Sequence, residues 1–137
     1  MAKILIVDDE PGLLMFIQRF LKANGHDAVT AEDGMVALDM VRKTEIDLII
    51  SDLRMPRMDG MTLLREVKAL KPEIPVIMLT AYASDETAIE SKRIGVFEYR
   101  SKPFNAEKLL ETIADALAAA KNKEAGPLDS RGGDQVK

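Results

Sequence analysis

The chain has 137 residues, enough for one domain with a real core that buries roughly 68% of the unfolded surface. It has no cysteine, which excludes disulfides, thiolate metal sites and cysteine nucleophiles, and one histidine, His26, in the turn-like stretch NGHD, where a surface position is expected. With 19 Lys+Arg against 23 Asp+Glu the net charge is −4, which argues against a basic nucleic-acid footprint, so any chemistry must rest on carboxylates, hydroxyls and amines.

In chain order, apolar runs alternate with helical periodicity. Lys3–Val7 (KILIV) reads as a strand, and no secretory leader pattern precedes it. No stretch approaches the ~20 apolar residues of a membrane span. The cytoplasm is therefore the expected compartment, with no membrane partner. Leu13, Leu14, Ile17, Phe20 and Leu21 then follow at helical spacing, and Asn24-Gly25 closes that helix. Asp27–Ala31 predicts a short second strand, and Asp33 caps a helix carrying Ala37, Leu38 and Val41. Asp47–Ser51 is the third strand. Leu63, Leu64, Val67 and Leu70 mark the third helix, stopped at Lys71-Pro72.

Pro75–Leu79 (PVIML) is the fourth strand. Ser84 or Asp85 caps a fourth helix through about Arg93, ended by Gly95. That helix offers mainly Ala88 and Ile89 to a core, so it should be the most weakly held. Val96–Arg100 is predicted as the fifth strand. Asn105 caps a fifth helix with Leu109, Leu110, Ile113 and Leu117 on one face. The pattern dissolves after Lys121, so residues 1–121 are expected to form the domain and 122–137 a disordered tail or linker stub.

Five strand-then-helix units predict an α/β fold, a parallel sheet covered by helices on both faces in a three-layer sandwich. The runs ILIV, LII and VIML are continuously apolar, as strands buried on both faces require. Periodicity does not give the strand order.

In such a sheet, ligands bind beyond the carboxyl ends of the strands. The first strand ends in Asp8, Asp9 and Glu10, the third in Asp52, the fourth in Thr80, and the fifth runs into Ser101 and Lys102; the second delivers nothing comparable. Three carboxylates gathered at ~4 Å repel by about 4 kcal/mol per pair at an effective dielectric near 20, so a compensating cation is needed. Oxygen-only ligands, few in number, select Mg²⁺. Asp9 and Asp52, with Asp8 close by, are the expected ligands. Lys102 adds a positive charge and Thr80 a hydroxyl donor, the groups that a transferring phosphoryl requires. Asp52, followed by a loop rather than a second acid, is the candidate nucleophile.

The blocks ILIVDDE, SDLRMPRMDG, MLTAYAS and YRSKPF, spread over residues 2 to about 120, closely resemble the receiver domain of two-component response regulators. The resemblance implies a flavodoxin-like fold with strand order 2-1-3-4-5. It implies a phospho-accepting switch rather than an enzyme, with at most slow self-dephosphorylation. Asp52 would take the phosphoryl group from a histidine kinase or phosphotransfer protein. Asp9, Asp52 and the backbone carbonyl of Arg54 would bind Mg²⁺, with Asp8 assisting. Lys102 would hold a phosphoryl oxygen, Thr80 would swing to hydrogen-bond it, and Tyr99 would move inward with Thr80. The Lys102-Pro103 bond corresponds to the family's cis peptide, and Met55-Pro56 and Gly60 shape the loop after Asp52.

The output would be a downstream protein or the chain's own effector domain, of DNA-binding or ATPase type if this is a receiver fragment of a longer transcriptional regulator. A homodimer formed on phosphorylation is a further option. Val96 and Arg100 depart from the family's usual small and apolar residues. Arg54 and Tyr82, two residues after Asp52 and Thr80, are expected to slow loss of phosphate by limiting water access. A haloacid-dehalogenase phosphotransferase would need a D-x-D motif on its first strand, and a flavodoxin-like electron carrier a phosphate-binding loop and flavin-stacking aromatics. Here the first strand gives adjacent acids instead, the loop VDDEPG is acidic, and there is no Trp. A receiver-like binding module that never meets phosphate does not account for the intact acidic set.

Overall fold

The computed structural model describes residues 2–124. Five strands, β1 (Lys3–Val7), β2 (Asp27–Ala31), β3 (Leu48–Ser51), β4 (Val76–Thr80) and β5 (Glu98–Ser101), alternate with five helices, α1 (Pro11–Ala23), α2 (Gly34–Lys43), α3 (Gly60–Leu70), α4 (Asp85–Ile94) and α5 (Ala106–Glu124). All neighbouring strands pair in parallel, in the order β2-β1-β3-β4-β5. This is the α/β architecture and the 2-1-3-4-5 order expected above.

Alternate residues of the central strands feed two cores. Leu5, Val7, Ile49, Val76 and Met78 pack with Ala37, Leu38 and Val41 of α2 and Leu63, Leu64 and Val67 of α3. Ile4, Ile6, Leu48, Ile50, Ile77 and Leu79 pack on the other face with Leu14, Ile17 and Leu21 of α1 and Leu109 and Ile113 of α5. Burial on both faces is why those strands carry no polar alternation.

The side-chain caps follow from local chemistry. Asp33 accepts from the Val36 N–H, Ser84 from Thr87 and Asn105 from Lys108, each satisfying a donor of a first helical turn. Ser84, not Asp85, is thus the cap of α4. Helix α4 is the least anchored, with Ser91 its fully buried residue where α3 buries five.

Three expectations need correction. The fifth strand runs from Glu98 to Ser101 rather than from Val96 to Arg100, because the Gly95 and Val96 N–H groups both turn back to the Ser91 carbonyl to close α4. Helix α5 continues to Glu124, past the boundary expected at residue 121, while residues 125–137 lie outside the described residues. His26 is half-buried rather than superficial, and its Nδ1 is buried without a hydrogen-bond partner among the described residues. Arg100 is exposed on edge strand β5 and pairs with Glu98 at 3.1 Å.

Candidate phosphoryl-acceptor and metal site

Parallel register brings the strand ends together. Val7 lies opposite Ser51, and the Asp52 N–H extends that ladder by donating to the Val7 carbonyl at 2.9 Å. Asp8 and Asp52, the next residues on the two strands, therefore emerge side by side. Thr80 lies opposite Ser101, and the Lys102 N–H donates to the Thr80 carbonyl at 2.8 Å, so Lys102 leaves the sheet on the same rim.

Asp8 and Asp52 are 4% and 6% exposed, and Asp9 is exposed. One oxygen from each of the three lies within 4.8 Å of the others. The Lys102 ammonium reaches between them, 2.7 Å from Asp8 Oδ2 and 3.4 Å from Asp52 Oδ2. Burial pulls the Lys102 pKa down, but the hydrogen bond and charge of Asp8, joined by those of Asp52, outweigh this and hold it above the usual lysine value.

The remaining carboxylate oxygens are oriented by backbone. Asp8 Oδ1 accepts from the Glu10 N–H at 3.0 Å, and Asp52 Oδ1 from the Leu53 N–H at 2.7 Å. Gly60 supports this arrangement from behind. A Cβ there would sit 2.0 Å from the Asp52 carbonyl oxygen and 2.9 Å from Leu53 Cα, so only a residue without a side chain closes the loop onto the acceptor.

Three carboxylates against one ammonium leave this group with a formal charge of −2 (−3 + 1). Hard, closely spaced oxygen donors with an uncompensated double charge fit a small divalent cation of the Mg²⁺ type.

The other expected residues surround this group. Thr80 is fully buried, and its hydroxyl accepts from the Tyr82 N–H at 3.0 Å. Tyr82 is 55% exposed, and the Arg54 guanidinium stacks on its ring at 4.4 Å, joining the loops that follow β3 and β4. Tyr99 is half-buried against the core beneath α4, and its hydroxyl meets the Thr87 hydroxyl and accepts from the Ser84 N–H. It is tied to the start of α4 rather than to the acidic group. The Lys102-Pro103 bond is cis.

Sequence reasoning missed Arg57 and its partner. Arg57 Nε and Nη2 both donate to Asp33 Oδ2, at 3.0 and 2.7 Å. Asp33 is legible as a helix cap, but nothing local in PRMDG announces a side chain reaching back 24 residues.

Comparison with known proteins agrees with this fold. Residues 4–114 match the family described as the response regulator receiver domain. The chain is 43% identical over 116 residues to the transcriptional regulatory protein GlrR of Escherichia coli, and 42% identical over 115 residues to ZraR of the same organism. These alignments cover 85% and 84% of this chain but 26% of each relative, so the chain spans about a quarter of their length.

Among solved structures, a receiver domain from Clostridium thermocellum superposes with a TM-score of 0.85 at 35% identity, covering 89% of this chain and 98% of that one. NtrX from Brucella abortus, solved with ATP, gives a TM-score of 0.85 at 33% identity over 96% of this chain and 30% of its own. With the parallel 2-1-3-4-5 sheet, the acidic group at its switch point and the match over most of its length, the chain belongs to the response regulator receiver domain family.

Proposed function

We propose that Asp52 accepts a phosphoryl group from a histidine kinase or phosphotransfer protein, and that this acylphosphate resets the surface formed by α4, β5 and α5. The observation that carries the reading is the Lys102 ammonium held between Asp8 and Asp52 beside a third carboxylate. That arrangement is what an incoming phosphoryl group needs: a nucleophilic carboxylate, a fixed ammonium and oxygen donors that would hold a divalent cation.

Asp52 Oδ1 is held by the Leu53 N–H, which orients the carboxylate. The Asp52 oxygen attacks phosphorus, and the P–O or P–N bond to the donor breaks with its electron pair leaving on the donor. Lys102 turns from the carboxylates toward a phosphoryl oxygen. Asp8, Asp9, Asp52 and the Arg54 carbonyl are the residues that would hold Mg²⁺, whose contribution when bound is to neutralise charge on the phosphoryl oxygens.

The modification adds about −1.5 to −2 charge at the rim. Thr80 exchanges its bond to the Tyr82 N–H for one donated to the phosphoryl group. Tyr99 then leaves the Ser84 and Thr87 groups that now hold it at the head of α4. Moving such an equilibrium from 1:99 to 99:1 takes about 5.5 kcal/mol. A few charge-assisted hydrogen bonds of ~1.5–3 kcal/mol each supply it. Helix α4, with one fully buried residue, is the element least able to resist.

The stacked Arg54–Tyr82 pair is the gate proposed to slow water attack on the acylphosphate. The domain of residues 1–121 acts on a downstream protein or on an effector region of the longer kind of chain that its relatives have. The whole protein's output, a phosphorylation-dependent dimer and a cytoplasmic location belong to the same proposal. Among the described residues, no helix is long and apolar enough to cross a membrane.

Incubation with acetyl phosphate and MgCl₂ followed by intact-mass and peptide mass spectrometry tests the assignment. One phosphoryl group on the peptide carrying Asp52, absent in Asp52→Ala, is expected. Unchanged phosphorylation of Asp52→Ala overturns it.

A further inference from the structure

Arg57 has φ +67°, the one non-glycine residue with positive φ among those described. The Met58 N–H donates to the Pro56 carbonyl at 2.8 Å across it, so Arg57 is the centre of a three-residue γ-turn of the rare, strained hand. A backbone in that region persists only where its surroundings over-determine it. Two contacts do so here. The Arg57 guanidinium clamps Asp33 Oδ2 through two nitrogens, at 3.0 and 2.7 Å. Beside that cap, Gly34 lets the loop press onto the start of α2, since a Cβ at Gly34 would lie 2.4 Å from the Met58 carbonyl oxygen.

Asp33 is itself held at both of its oxygens. Its other oxygen, Oδ1, caps α2 through the Val36 N–H at 2.9 Å. That backbone bond and the Arg57 guanidinium keep its carboxyl below the usual range despite its burial. The loop that Arg57 anchors runs from Asp52 to Gly60, and those two residues touch at its base. Arg54, whose carbonyl completes the proposed donor set, lies within it. The base of the loop is therefore fixed by Gly60 and its tip by Arg57.

We infer that Arg57 and Asp33 are a positioning pair that pre-sets the Arg54 carbonyl for the divalent cation, from outside the acidic group itself. The inference rests on the metal-site reading above. Charge alone makes the opposite prediction for Arg57. Removing a positive charge from the loop that follows Asp52 should tighten binding of a divalent metal, whereas loss of a positioning contact loosens it. Outer-shell groups of this kind typically alter metal affinity by about 10-fold or more.

The test is Mg²⁺ titration of the full 137-residue chain, followed by ¹⁵N amide shifts, with calorimetry for the Kd. Arg57→Gly keeps positive φ accessible and removes the clamp. Asp33→Asn keeps the α2 cap oxygen and removes the ionic partner. Each is expected to raise the Mg²⁺ Kd by about 10-fold, and the double variant by no more than either single one. Acetyl phosphate labelling should recover the wild-type maximal rate at saturating Mg²⁺. Unchanged or tighter Mg²⁺ binding by Arg57→Gly overturns the inference, as does strict additivity in the double variant. Failure of the wild-type chain to bind Mg²⁺ would instead overturn the metal-site reading.

Discussion

Replacing Lys102 by methionine removes the ammonium that separates Asp8 from Asp52 while keeping most of the side-chain volume. At an effective dielectric near 20, its contacts at 2.7 and 3.4 Å each represent about 5–6 kcal/mol of Coulomb attraction. Desolvation of the three charges offsets more than half of that. Removing one member of a buried pair typically costs 3–5 kcal/mol, and Lys102, with its side chain 16% exposed and partly screened, belongs at the low end, about 3 kcal/mol. For a domain of this size that corresponds to a fall in Tm of about 12 °C.

The sign of the metal effect is the sharper test. Lys102 and Mg²⁺ draw on the same two carboxylates, so without the ammonium the ion binds with less competition. Saturation at ~100 times Kd is worth about 2.7 kcal/mol and should restore most of the loss. Scanning calorimetry of both proteins in EDTA and in MgCl₂ measures this. A fall below ~3 °C in EDTA, set against the ~12 °C worked out here, or an equal Mg²⁺ shift in the two proteins, would refute the reasoning. In metal-free buffer the difference between them should also close at alkaline pH. The raised Lys102 pKa means that its stabilisation is complete below about pH 10.5 and is lost as pH climbs through the higher folded value.

Gly60→Ala forces a methyl into the Asp52 carbonyl, where backbone must yield, so a loss of about 2–3 kcal/mol in urea unfolding is expected, together with slower labelling by acetyl phosphate. Tyr99→Phe deletes the hydroxyl that meets Thr87 and the Ser84 N–H; amide exchange in the first turn of α4 should quicken by about 5- to 10-fold, equivalent to ~1 kcal/mol, while the core strands keep their protection. Trimming Arg54 and Tyr82 together to alanine removes the stacked pair and should shorten the phospho-Asp52 half-life severalfold, a decay followed by mass spectrometry; an unchanged half-life removes the gate from the proposal.

Much of the site was legible because its residues sit where a local pattern breaks. Asp8 and Asp52 each end a continuous apolar run, and Lys102 stands before a proline, so their places at strand ends follow from residue type and order alone. Thr80 as a hydroxyl donor follows from its strand-end place, whereas its proposed swing and that of Tyr99 rest on resemblance, and their present hydrogen bonds, to Tyr82 and to the head of α4, have no signal in the sequence. The start of β5 is hidden from local composition for a similar reason. Val96 and Phe97 have the composition of a strand, but closure of α4 takes the Val96 N–H first.

The amino-acid order by itself determined the kinds of element, their alternation and the burial of the sheet on both faces, since side-chain period and apolar content depend only on near neighbours. It also determined that four strands would deliver polar groups to one rim. Only the tertiary structure decided which neighbour each group meets. Pairing of Val7 with Ser51 sets Asp8 against Asp52, crossing from β4 to β5 brings Lys102 across 94 residues to Asp8, and a strained turn carries Arg57 back to Asp33. Such contacts arise from register and loop closure, and a periodic pattern reports that a face is buried without naming what buries it.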